Sequence, residues 1–542
     1  MRSVWCFLIV LALLAAPAAG QHAAQGESDK RPPLMEGLGD IHHQVTTDKP
    51  LAQKYFDQGM QLMFAFNHDE AIRAFRAASA EDPNLAMAHW GIALSLGPNY
   101  NLEAEPEKTE AAYLALRKAQ QLVKQATPKE QAYVAALSER YSEDPDADRK
   151  QLDQAYADAM QAIATRYPDD LDAAVLSAEA MMQLRPWDLW SKDGRTPLPG
   201  TEEIVATLES VLSKNPSHTG ANHYHIHAVE ASDHPERALE SAKRLGTLAP
   251  GAGHLVHMPS HIYYRLGMYD DAVEANREAV KVDEKYIAAE KPMGVYPMMY
   301  YPHNIHFLWA ALSMEGRSED AIAAAKRLGE KLTPEMAQQM AMVEYFLPVE
   351  LYALVRFEKW DEVLAKPAPP ENLTFFSGMW HYARGKALSA QGDSAGAQKE
   401  AQALAKCLAE TPQDFLLMRH SAVLLLSIAE NDLAATRAEA AGNLDEAIAR
   451  ARVAVLLQDT LLYDEPPPWY FPQRETLGRL LLEADQAEQA EAVYREDLKK
   501  NPHSGRALFG LEKSLRAQDR TAEADETKEL FDKAWARADV SP

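Results

Sequence analysis

The chain has 542 residues, a net charge of −25 and two cysteines. So acidic a chain is a poor partner for nucleic acid or an anionic membrane surface, and two cysteines leave no room for thiolate-based zinc or iron–sulfur centres. Its length suits either several globular domains or one extended repeat array.

The first twenty residues, "MRSVWCFLIVLALLAAPAAG", set one early cation, Arg2, before an apolar core from Val4 to Leu14 and a run of small residues. This is the layout of a secretory signal peptide, with cleavage expected between Ala16 and Gly20; the alternative is a buried N-terminal helix. The apolar core is too short to span a bilayer, and no later stretch reaches about 18 uninterrupted apolar residues, so no membrane span is predicted. Cleavage removes Cys6 and leaves Cys407 alone, without an internal disulfide partner. The mature protein is therefore expected to be exported, periplasmic or extracellular. Residues 21–45 are polar and read as a flexible leader.

From about residue 46 to 540 the sequence is helical in composition, rich in Ala, Leu, Glu, Lys, Arg and Gln and almost without strand-like alternation. In "FDQGMQLMFAFNHDEAIRAFRAASAEDP" the order Gly59, Ala71, Phe75, Ala78, Pro83 alternates small, aromatic and proline positions. "LGRLLLEADQAEQAEAVYREDLKKNP" repeats it with Leu477, Gly478, Ala490, Tyr494 and Pro502. Fainter copies carry Ala238, Ala242, Leu245 and Pro250; Ala272 and Ala279; Ala447 and Ala454; and Gly510 and Ala522. A copy at Met160 and Pro168 has Tyr156 where a small residue belongs. This pattern resembles the tetratricopeptide repeat (TPR), a helix–turn–helix unit of about 34 residues. The resemblance implies an all-α, TPR-like right-handed solenoid of about eight to ten helical hairpins, because one unit cannot bury its apolar face without stacked neighbours. Within it, residues 219–320 form histidine-rich central units and 440–540 the C-terminal repeats. The closing segment and the histidine units also look like exported bacterial TPR proteins of no settled activity.

Several segments interrupt the repeat: "LGPNYNLEAEPEKTE", "RPWDLWSKDGRTPLPGTEE", "EKPMGVYPMMYYP" (residues 290–302) and "YDEPPPWYFPQRE" (463–475). Such insertions tend to gather on one side of a repeat array, often the binding side.

Nine of the 18 histidines fall within residues 223–306, where an even spread would put about three. Their register is more telling. Ala238 and Ala272 mark one repeat position 34 residues apart, and the same shift carries His223 and His227 onto His257 and His261. A shift of 49, from Ala272 to Ala321, carries His254 onto His303 and His257 onto His306. First helices line the concave groove in TPR proteins, so the resemblance places these side chains and Glu230 there. Histidines one helical turn apart have Cβ atoms about 5–6 Å apart, and packed helices lie about 8–10 Å apart, so the imidazoles can converge. Convergent neutral imidazole suits a transition metal: copper, iron or zinc. The candidate ligands are His223, His227, His257, His261 and His306, followed by His254, His303 and Glu230. His254 ranks lower because Pro259 interrupts its helix. Asp233 and His234 are further candidates for orienting partners.

Tyr224, Tyr264, Tyr301 and Met258 are candidate groove contacts for a small organic or peptide substrate, and the aromatic residues of 290–302 a candidate wall or lid. Met258, Met298 and Met299 would add thioether character suited to copper. His22, His218, His381, His420 and His503 read as ordinary histidines, and no catalytic residue is assigned. The sequence thus supports an exported repeat protein whose histidine-lined groove binds a transition metal, with a redox or hydrolytic enzyme as one form of that reading. The competing readings are a scaffold presenting the groove to a peptide or protein, a metal chaperone, and histidine register left over from internal duplication.

Overall fold

The computed structural model describes residues 31–144 and 146–542. Residues 1–30, which include the expected signal peptide, lie outside them. Among the described residues the fold is all-α, TPR-like, and the strand content is a two-residue pair, Leu416–Leu417 with His420–Ser421. No helix among them is long and apolar enough to cross a membrane. The chain divides into two compact units.

The larger unit comprises Pro32–Ala321, Tyr463–Pro467 and Tyr494–Pro542. Its helices pack as successive hairpins: Pro50–Phe64 with His68–Glu81, Ala86–Leu96 with Pro106–Leu122, Pro128–Ser138 with Arg149–Arg166, Leu171–Gln183 with Thr201–Lys214, and Thr219–Val229 with Leu239–Leu248. The small residues act as the spacing implies. A Cβ on Gly59 would sit 2.4 Å from the Phe75 ring, and one on Gly510 would sit 2.0 Å from the Tyr494 ring. Gly59 lets the two helices of a hairpin close onto Phe75, and Gly510 lets the helix of the next hairpin close onto Tyr494. Tyr156, in the aberrant copy, is buried beneath the Arg140 guanidinium, which lies 4.8 Å above its ring. A cation–aromatic pair fills that space, and the hairpin forms without the small residue.

The described part of the expected leader is not loose. Leu38, His43 and Val45 are buried, the backbone N–H of Gly251 donates to Gly37 O at 2.7 Å, and Gln58 Nε2 donates to Pro33 O at 3.0 Å. Further along, His43 Nδ1 lies 2.6 Å from Asp172 Oδ2, and His218 Nε2 lies 3.1 Å from the other oxygen of the same carboxylate. The polar side chains that suggested a mobile segment instead anchor it.

The smaller unit includes Ile322–Leu462 and Pro468–Val493. Here Gly378 and Gly385 bring helix Thr374–Ala390 against Leu426 and Leu433 of helix Ala422–Ala440. A buried polar network closes its core: Tyr382 Oη donates to Asp432 at 2.7 Å, and Lys386 Nζ reaches the same carboxylate at 2.8 Å.

Candidate metal centre

Three helical segments of the larger unit carry the histidines. Thr219–Val229 is buried on every side, with Gly220 pressed against Phe64. Its first turn is capped by the His218 ring, which accepts from the Ala221 N–H at 3.2 Å. The next element is split by Pro259 into Gly253–His257 and Pro259–Arg265, yet Met258 between them keeps helical angles (φ −51°, ψ −35°). His254 therefore stays on the same side as His257 and His261. The third is Tyr301–Met314, which follows directly on a π-helical turn, Tyr296–Tyr300.

These segments bring six imidazoles together. His223, His227 and His254 each place a ring nitrogen within 4.8 Å of the others, and so do His257, His261 and His303. His254 Nε2 lies 3.2 Å from His223 Nε2, His257 Nε2 lies 2.8 Å from His261 Nε2, and His303 Nε2 lies 3.0 Å from His257 Nε2. The two triads adjoin, with the His227 and His261 rings 5.7 Å apart. Glu230 joins them: its Oε1 accepts from His227 Nδ1 at 3.0 Å and its Oε2 from His261 Nδ1 at 2.6 Å.

The ranking of candidates changes accordingly. His254, His303 and Glu230, placed second by sequence, belong to the cluster. His306, placed among the first, does not join either triad: its ring stacks on Trp309 at 5.3 Å, with the planes 7° apart. The 49-residue shift contains the 290–302 insertion, whose π turn feeds straight into the helix. Equal repeat spacing thus does not give equal rotation there, and His303 rather than His306 meets His257. Asp233 and His234 pair with each other at 3.6 Å on the surface.

Nor do the histidines line an open groove. His223 and His257 are fully buried, His227, His254, His261 and His306 nearly so, and His303 is half-buried. The loops that interrupt the repeat cover them. Tyr100 lies 5.2 Å from the His227 ring, Trp187 5.8 Å from it, and Tyr300 4.8 Å from the His254 ring. Phe66 sits at the centre, 4.5 Å from His223 and stacked at 5.4 Å on His254. Phe66 and Trp187 hold left-handed backbone, with φ of 56° and 61°. Such strain in two large aromatic residues persists only where the surroundings enforce it. Tyr224, Tyr264, Tyr301 and Met258 are buried packing residues rather than contacts for a substrate. The Tyr301 hydroxyl is spent on Glu284 at 3.1 Å. Beside the cover, a cleft lined by Phe66, Asp69, Asn99, Lys108 and Tyr300 has about 30 Å³ free, enough for a water or two but not for an organic molecule.

The hydrogen bonds fix which ring nitrogens carry protons. His223 Nδ1 faces only an acceptor, the Phe64 carbonyl at 2.7 Å, so it is the protonated nitrogen. Asn276 Nδ2 donates to Ala272 O at 2.8 Å, which turns Oδ1 toward His257 Nδ1 at 2.6 Å and makes that nitrogen the donor. Burial pushes the Glu230 carboxyl up, but its contacts with His227 and His261 outweigh this and bring it down to about 2. As an anion it accepts from both Nδ1–H groups. The Nε2 atoms of His257 and His261 thus confront each other at 2.8 Å with lone pairs on both sides. A proton between them would need a buried imidazolium; burial, reinforced by neighbouring rings, holds His257 well below its ordinary range, and burial lowers His261 although Glu230 opposes it. The same pressures act on His223, His254 and His303, while burial takes His306 down to about 3. His227 Nε2 and His254 Nδ1 are buried without hydrogen-bond partners. Four of the rings, His223, His227, His257 and His261, are held by Nδ1 and present Nε2, the arrangement of donors in a transition-metal site, with Phe64, Asn276 and Glu230 as the outer groups that orient them.

Asn276 escaped the sequence reading although it left a trace. On helix Tyr269–Glu290 the buried stripe Ala272, Val273, Ala279, Val280 is interrupted by Asn276 and, seven residues on, Asp283, both fully buried. Polar side chains on an apolar stripe signal a partner. Asp283 finds Tyr296 Oη at 2.8 Å and Asn304 Nδ2 at 2.7 Å. Phe66, Tyr100 and Trp187 left no comparable trace.

No family model and no curated protein sequence matches the chain. Among solved structures it is similar to a human IFIT1 dimer with m7Gppp-AAAA, at 11% identity, covering 91% of this chain and 92% of that one, with a TM-score of 0.33. Yeast Tom70 gives 10% identity, 89% and 90% coverage and a TM-score of 0.30. The TPR domain of P58(IPK) gives 12%, 87% and 99%, and 0.21.

Proposed function

We propose that this protein binds transition-metal ions in two adjoining three-histidine sites: His223, His227 and His254 in one, His257, His261 and His303 in the other. The observation that carries the reading is the 2.8 Å approach of two Nε2 lone pairs whose Nδ1 positions are committed elsewhere. A metal ion removes the repulsion and satisfies buried nitrogens that otherwise lack partners. Bound there, it supplies a Lewis acid or redox centre; the chain's own groups hold the rings, fix their tautomers and exclude water. Burial of all these imidazoles but the half-buried His303 also takes them out of reach of a peptide, so the scaffold reading draws little support from them. Export, expected from residues 1–20, is part of the proposal.

The test is metal analysis of protein purified without a polyhistidine tag. Bound metal should be near-stoichiometric, and the double variant His257→Ala/His261→Ala should lower it with the helical circular dichroism retained. Protein that neither carries metal nor takes it up when offered copper, iron or zinc would sink the proposal.

A further inference from the structure

The two triads are built alike but covered differently, and on the metal-binding reading above the difference separates what each site can do. The rings of His223, His227 and His254 are all buried. Phe66 packs on each of them, with ring centroids at 4.5, 5.7 and 5.4 Å. Tyr224 stacks on His223 at 5.4 Å, Tyr100 and Trp187 close over His227, and Tyr300 over His254. The cleft beside this cover is walled by Phe66 and Tyr300, and none of the six imidazoles lines it.

His257, His261 and His303 share one aromatic neighbour, Phe307, whose ring lies 5.3, 5.2 and 5.9 Å from theirs. Phe307 is fully buried in the helix that carries His303, so it closes this triad from the core side. His303 itself stands in the first turn of that helix, directly after the π-helical turn, and is half-buried where the other five are buried. The second triad therefore reaches solvent through one of its own ligand candidates. Three imidazoles leave one position of a tetrahedral ion unfilled. In an open site water or another small donor takes that position, whereas an ion in a closed site exchanges only when its cover opens. We infer that His223, His227 and His254 form a closed, slowly exchanging site. His257, His261 and His303 form the exchangeable one, reached past His303 and able to take a small nitrogen or oxygen donor, of the size of azide or imidazole, as its further ligand.

Cobalt(II) is the probe, because its visible spectrum reports the ligands of each ion. The tag-free full chain is loaded with cobalt and challenged with excess chelator. Release should come in two phases of one ion each, about tenfold or more apart in rate, and azide should shift the spectrum of the faster-released ion alone. His303→Ala should lose that faster ion, and free imidazole, entering the space the half-buried ring vacates, should restore it. His223→Ala should lose the slower ion, and imidazole should not restore it, because the vacated space is closed from solvent. A single release phase in the wild-type protein would overturn the inference without recourse to any variant. So would azide acting on both ions or on neither, His303→Ala keeping both ions or losing the slower one, or imidazole rescuing both variants or neither with circular dichroism unchanged. In each of these cases two ions are bound and metal binding itself stands; a chain that takes up fewer than two ions, offered cobalt or zinc, defeats the two-site reading as well.

Discussion

Asn276 offers the sharpest probe of the histidine geometry because it touches the cluster without being a ligand candidate. Asn276→Ala removes the 2.6 Å acceptor of His257 Nδ1 and leaves Ser260 Oγ, at 3.3 Å, as the remaining neighbour of that nitrogen. Two effects follow. Leaving a buried donor underserved costs about 1–3 kcal/mol of stability. Freeing the ring to rotate and change tautomer costs metal affinity, and loss of such an outer partner weakens binding about 10–100-fold, or roughly 1.4–2.7 kcal/mol. A competition titration against a chromophoric zinc chelator reads the second effect, and circular dichroism establishes that the variant is folded. Affinity unchanged within twofold in a folded variant would refute the argument that Asn276 sets the His257 tautomer. The stability loss alone would then mark the contact as structural.

Three other outcomes follow from the same geometry. Gly59→Ala puts a Cβ 2.4 Å from the Phe75 ring; overpacking of about 1–3 kcal/mol should exceed the ~1 kcal/mol that alanine gains in a helix, so the thermal midpoint should fall. His306→Ala should leave metal stoichiometry unchanged while costing about 1 kcal/mol of stability through its lost stacking on Trp309; loss of a bound ion would restore His306 as a ligand. The His43–Asp172–His218 clasp should be pH-dependent in both directions. Its contacts hold the His43 pKa up, so that share of stability is present below about 6.5 and is lost as pH rises through the folded value; they hold Asp172 down, so its share is present above about 3.9 and is lost on acidification. The gap in melting temperature between wild type and Asp172→Asn should therefore be widest from about pH 4.5 to 6.5 and narrow on either side.

What the sequence disclosed follows from physical periodicity. Gly59 with Phe75, and Gly478 with Tyr494, recur at one fixed offset because every hairpin must solve the same close-approach problem, so the architecture is readable without a structure. His223, His227, His257 and His261 share a register for the same reason. Tyr100 and Trp187 obey no repeat, and Phe66 holds the left-handed turn position that Gly267, Gly316, Gly392 and Gly442 take in other hairpins. They reach the imidazoles from as far as 188 residues away in the chain, and their arrival turns an expected groove into a largely closed core. Pro259 misled in the opposite sense. Met258 takes helical angles despite the proline that follows, since packing overrides a local preference of modest size, and His254 keeps its place. The exchange of His306 for His303 has a similar origin, because a spacing counted across an insertion fixes chain length but not helix rotation.

The closed core carries a cost that makes a final prediction. Replacing these imidazoles by aliphatic side chains would satisfy the packing with no lone pairs opposed and no buried nitrogen left over. As built, His227 Nε2 and His254 Nδ1 lack partners, at about 1–3 kcal/mol each, and the left-handed Phe66 and Trp187 add about 1–3 kcal/mol each. Unpartnered nitrogens on ligand-type side chains are departures from local rules that mark a candidate function. If metal is that function, its binding free energy is also folding free energy: ligand at about a thousand times its dissociation constant adds about 4 kcal/mol. Removing metal with a chelator should then lower the thermal midpoint by several degrees, and restoring it should recover the original melt. The gain should vanish in the His257→Ala/His261→Ala variant. Coincident melts with and without metal, in protein shown to bind it, would mean that the ion sits on a surface and that the buried nitrogens answer to something else.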